Sequence, residues 1–70
     1  MRYAIVIEKA EGNYSAYVPD LPGCVAAAED RDEVIQLIHE AIEFHLEDLR
    51  HRGEPLPKPN SSVEFVEIAA

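Results

Sequence analysis

Val18 to Cys24 reads VPDLPGC, and no regular element can run through it. Each proline fixes φ and removes a backbone donor, and Gly23 reaches conformations closed to other residues. The first half of the chain must therefore break here. Before the break, Tyr3 to Lys9 (YAIVIEK) is rich in β-branched residues. As a strand it sends Tyr3, Ile5 and Ile7 one way and Ala4 and Val6 the other. Glu11-Gly12-Asn13 is turn chemistry, and Tyr14 to Val18 (YSAYV) follows as the second arm of a hairpin. After the break, Cys24 to Ala28 (CVAAA) reads as a short third strand whose small side chains allow close packing.

Asp30 starts a helix. Its carboxylate can cap the free amides, and Glu33 stands where a capping-box partner belongs. The helix is expected from Arg31 to His51 or Arg52, with Gly53 as the left-handed residue after it and Pro55 forbidding continuation. Arg50, His51 and Arg52 complement the helix dipole. At 100° per residue, Val34, Ile35, Ile38, Ala41, Ile42, Leu46 and Leu49 form one apolar stripe, with His45 inside it. Leu37 and Phe44 lie at one edge and widen the stripe beyond what a single sheet contact requires. The opposite face carries Gln36, Glu40, Glu43, Glu47 and Arg50. A proline-stiffened connector, EPLPKPNSS, then leads to Val63 to Ile68 (VEFVEI), which reads as a fourth strand.

The expected fold is a single α+β domain over residues 1–70 in the order βββαβ. A three-stranded antiparallel meander is joined by a last strand, parallel to a neighbour because it follows a helical crossover, in a small mixed sheet. One helix covers one face. The other face has no helix in the chain to cover it, and bare apolar sheet usually means a partner.

Composition bears on that partner. A chain of 70 residues buries only about 60% of its unfolded surface and is marginal unless stapled or oligomeric. One cysteine makes no internal disulfide, and no Cys and His cluster at zinc spacing replaces it. Association with copies of itself, as a dimer or tetramer, is the expected support, with Leu37 and Phe44 as the interface. The lone cysteine and the lack of a signal peptide suggest a reducing cytoplasm, and no apolar run could span a bilayer. Fourteen acidic against 6 basic side chains give −8, which repels phosphate and suits a basic protein better than a nucleic acid.

Two motifs carry a resemblance: DLPGC (Asp20 to Cys24) and the helix exit GEPLPKP (Gly53 to Pro59). In register with the strands and the acidic helix cap between them, they make the chain resemble the HicB-like antitoxin family from Tyr3 to Ile68. That resemblance implies a partial RNase H fold without catalysis, and a toxin partner similar to HicA. Such a toxin is a small basic ribonuclease that cleaves messenger RNA with a histidine on a double-stranded-RNA-binding-like fold. The family commonly has a glycine, an acid and a Thr or Ser before the helix, where this chain has Ala28-Glu29-Asp30-Arg31. Many members continue into a DNA-binding segment. None is expected here, so operon autoregulation is not carried over.

The residues offer little to catalysis. A complete RNase H site uses clustered carboxylates to hold two metal ions, and the candidates, Glu8 and Asp20 with the helix acids beyond, are not forced together. His39 and Glu43, four apart, could share a metal, but two ligands do not make a site. His45 reads as a half-buried histidine, His51 as a helix-end residue and Cys24 as a small core filler. No serine has a placed base, and no glycine loop binds phosphate. No catalytic residue, metal or cofactor is expected. The expected surface for the toxin is acidic: Asp20, Glu29, Asp30 and Asp32, with Glu40, Glu43 and Glu47 on the helix as a second candidate. The alternative is a non-catalytic oligomeric binding or scaffold domain of the same fold with no toxin.

Overall fold

The computed structural model describes residues 1–70 and contains three strands and one helix. Strands β1 (Val6–Ala10), β2 (Asn13–Tyr17) and β3 (Val25–Ala28) form an antiparallel sheet in the order β1-β2-β3. Helix α1 (Arg31–His51) packs over the sheet, chiefly on β2 and β3. The fold is α+β, as its residues imply.

The register sorts the sheet's two faces. Ile7, Ala16 and Ala26 stand side by side across the three strands and face the helix. There they meet Val34 and Ile38, whose positions on the apolar stripe bring them to the same side of α1. Val6, Tyr17 and Val25 form the neighbouring row on the other face. Tyr17 and Val25 are exposed there, so the second face does carry uncovered apolar surface.

The corner Val18–Cys24 is two successive turns. The Leu21 amide donates to the Val18 carbonyl at 3.1 Å, and the Cys24 amide donates to the Leu21 carbonyl at 3.1 Å. Each turn has proline at its second position, where a fixed φ is pre-organised. Gly23 takes the third position of the second turn with φ +84°, a left-handed value that disfavours any side chain. The Val18 amide donates to the Cys24 carbonyl at 3.2 Å and closes the corner at its base. Val18, Leu21 and Cys24 all point into the core, and Leu21 is completely buried. The corner is thus a plug as well as a bend. Burial also raises the pKa of the Cys24 thiol.

Helix α1 begins and ends where its residues indicate. Asp30 Oδ1 accepts from the Glu33 amide at 2.8 Å, which is half of a capping box; the Glu33 side chain makes no return bond. At the other end, the Gly53 amide donates to the Arg50 carbonyl at 3.0 Å and the Glu54 amide to the Leu49 carbonyl at 2.9 Å. With Gly53 at φ +70°, this is the paired bonding of a Schellman cap.

Strand limits differ in instructive ways. The first strand starts at Val6 rather than Tyr3, because its partner β2 gives way after Tyr17 to the corner, where Pro19 has no amide to offer. Tyr3 and Ile5 still pack against the core without joining the ladder. The third strand starts at Val25, since the Cys24 amide is taken by the turn. The largest correction concerns Val63 to Ile68. No fourth strand forms, and the sheet is wholly antiparallel rather than mixed. A strand exists only against another strand's hydrogen-bonding edge, and no strand of this chain pairs with that segment.

Candidate partner-binding surface

The four carboxylates expected to form one acidic surface fall into two places. Asp20 lies in the corner before β3, whereas Glu29, Asp30 and Asp32 follow its end. The second turn of the corner and the whole of β3 lie between them in the chain.

Asp20 has a structural task. One carboxylate oxygen accepts from the backbone amides of Asn60 at 3.0 Å and Ser61 at 2.9 Å, and the other accepts from the Ser61 hydroxyl at 2.9 Å. The Ser61 amide is the main cause of a lowered Asp20 pKa; desolvation opposes it, and the Ser61 hydroxyl and Asn60 amide add to it. A second tie lies close by: the Tyr3 hydroxyl donates to the Pro57 carbonyl. Together they fasten the connector after α1 to the end of the sheet.

Asp30 is also engaged, as the helix cap. Glu29 and Asp32 are different: both are exposed, and neither makes a hydrogen bond or ion pair within the chain. Asp32 in the first turn favours the helix dipole, and nothing else holds it. These two carboxylates at the β3–α1 junction are free to meet an external cation.

The second acidic candidate is partly committed. Glu40 accepts from Gln36 at 3.4 Å, and Glu47 lies 3.4 Å from His51. Asp48 and Glu54 hold Arg52 at 2.9 and 3.0 Å. All are exposed pairs worth little to stability. His39 and Glu43 border the same shallow grooves on the exposed helix face. No three His, Cys, Asp or Glu side chains are arranged to hold a metal ion. His45 is half-buried, and Glu8 is exposed on β1 opposite Ser15.

Apolar surface is also unpartnered. Phe44 is 76% exposed and Leu37 is 38% exposed, on the helix flank that the sheet does not reach. Val63, Phe65, Val66 and Ile68 are all exposed. No helix is long and apolar enough to cross a membrane.

The chain is similar to proteins of a phage, a bacterium and an archaeon. A 14.9 kDa uncharacterized protein from the rep-hol intergenic region of Haemophilus phage HP1 is 39% identical over 66 residues, covering 94% of this chain and 50% of its own length. The chain thus spans half the length of that relative. A UPF0150 protein of Helicobacter pylori is 45% identical over 65 residues, covering 91% of this chain and 90% of its own. One from Archaeoglobus fulgidus is 52% identical over 48 residues, covering 67% and 70%. No solved structure matches. The model of the HicB-like antitoxins of bacterial toxin–antitoxin systems matches residues 3–69, the corner, the helix and its exit included. The chain belongs to the HicB-like antitoxin family.

Proposed function

We propose that this protein binds and neutralises a HicA-like toxin, a small basic ribonuclease that cleaves messenger RNA, and that it does so in the cytoplasm as a homo-oligomer. Family membership supports an antitoxin role and a non-enzymatic protein. The observation that carries the finer reading is the pair of unengaged carboxylates, Glu29 and Asp32, on a chain of net charge −8. A ribonuclease must present cations to hold an RNA backbone, and an acidic protein blocks it most directly by occupying them. Asp30 borders this surface while capping α1, and Asp20, before β3, offers the toxin a second acidic contact. Leu37 and Phe44 supply one apolar contact between copies, as a dimer or tetramer.

The exposed apolar flank and sheet face favour a second reading, an oligomeric scaffold of the same fold with no toxin. Co-expression separates the two. A short basic reading frame beside this one should arrest growth when expressed alone, and this chain should restore growth and co-purify with its product. Failure to restore growth in a strain where the toxin is active leaves only the scaffold.

A further inference from the structure

Beyond Ser61 the chain leaves the domain. Residues 61–63 pass beside Arg2, Tyr3 and Ala4, at the end of the sheet where β1 begins, and do not pair with them. The radius of gyration is 13.9 Å, against about 11 Å for a compact chain of this length. Yet VEFVEI has the composition of a strand, and Phe65 is 90% exposed. In an extended conformation Val63 and Phe65 point one way with Glu67, and Val66 and Ile68 the other with Glu64, so each face carries two large apolar side chains and one carboxylate. Such a segment belongs inside an assembly. Its backbone groups are unpaired, and so is the outer edge of β1, an edge strand of the sheet. An apolar strand without an edge and an edge without a strand occur in the same molecule.

We propose that two copies exchange their C-terminal segments, Val63 to Ile68 of each pairing as a fourth strand with the free β1 edge of the other. The occupant is a second copy because this chain supplies both halves of the contact, and a reciprocal exchange leaves neither half over. The tie between Asp20 and Ser61 fixes where the segment departs, so the exchanged strand begins from an anchored point. The inference shares with the functional reading only that the chain self-associates. It places the main contact at the C-terminal segment rather than on the helix flank.

Proline substitutions test it, because proline removes an amide donor and the segment pairs with nothing in its own chain. Successive amides of a strand point to opposite edges, so Phe65→Pro or Val66→Pro must remove a ladder bond whatever the register. The wild type should sediment as a dimer, with amides of Val63 to Ile68 protected from hydrogen exchange more strongly as concentration rises. One of the two proline variants should weaken association at least about tenfold while circular dichroism still shows the helix. Leu37→Glu with Phe44→Glu should weaken it less. A dimer that survives both prolines but is lost on the helix-flank substitutions overturns the exchange and keeps self-association. A wild-type monomer overturns both, and protection of the segment in a monomer shows instead that it folds back on its own β1.

Discussion

Ser61 donates both its amide and its hydroxyl to the carboxylate of Asp20, each at 2.9 Å, across 41 positions of sequence. With the Asn60 amide at 3.0 Å, this single side chain satisfies three donors of an otherwise irregular connector. A corner read as rigid punctuation is therefore also the mooring of the C-terminal segment.

That mooring should depend on pH. The folded pKa of Asp20 lies below its ordinary 3.8, so the anchor is at full strength above that value and is lost as pH falls through the lowered one. Asp20→Ala should release the segment at neutral pH. Amide exchange of Asn60 and Ser61 should quicken, while the helix and sheet amides keep their rates. Unchanged exchange at those two positions would show that the carboxylate does not hold them.

The corner predicts a ranking of substitutions. Leu21 is fully buried, so Leu21→Ala removes packed methyls and leaves a cavity, at a cost of about 2–5 kcal/mol. Pro19→Ala mainly enlarges the unfolded ensemble and should cost about 0.4–1 kcal/mol. Urea denaturation of the two variants decides which property matters more. If Pro19→Ala is the costlier, stiffness rather than the plug holds this corner.

This division also marks how much the residues disclosed. The Asp30 cap, the Gly53 exit and the apolar stripe were legible because each is set within one or two helical turns. Leu21 gave no such sign; a lone leucine between prolines reads as loop until the core is seen to close over it. The tie from Asp20 to Ser61 joins residues that no local pattern relates. Val63 to Ile68 is the reverse case, a segment whose composition says strand while no strand of the sheet pairs with it. Among Asp20, Glu29, Asp30 and Asp32, the capping bond of Asp30 was legible, whereas the backbone amides that Asp20 accepts from lie 40 and 41 positions away.

Cleavage assays should be silent. Glu8 is exposed on β1 and Asp20 is bound to the connector, and no third ligand joins them around a metal position. Purified protein with Mg²⁺ or Mn²⁺ should leave RNA and DNA intact. Reproducible cleavage that disappears in Glu8→Gln or Asp20→Asn would make this an enzyme.

Salt and charge reversal probe the surface offered to the toxin. Charge complementarity acts mainly on association rate and partner choice, whereas buried apolar contacts set dissociation. Binding to a HicA-like partner should slow in association as salt rises, with a smaller change in dissociation. The informative variant carries Glu29→Lys and Asp32→Lys and keeps Asp30, because losing that cap would itself cost about 1 kcal/mol of stability. Reversing only the two unengaged carboxylates should slow association at low salt and relieve inhibition, with the melting temperature little changed. Association that is indifferent to both reversals at low salt would reduce the junction to a solvated surface and move the inhibitory face to Glu40, Glu43 and Glu47 on α1.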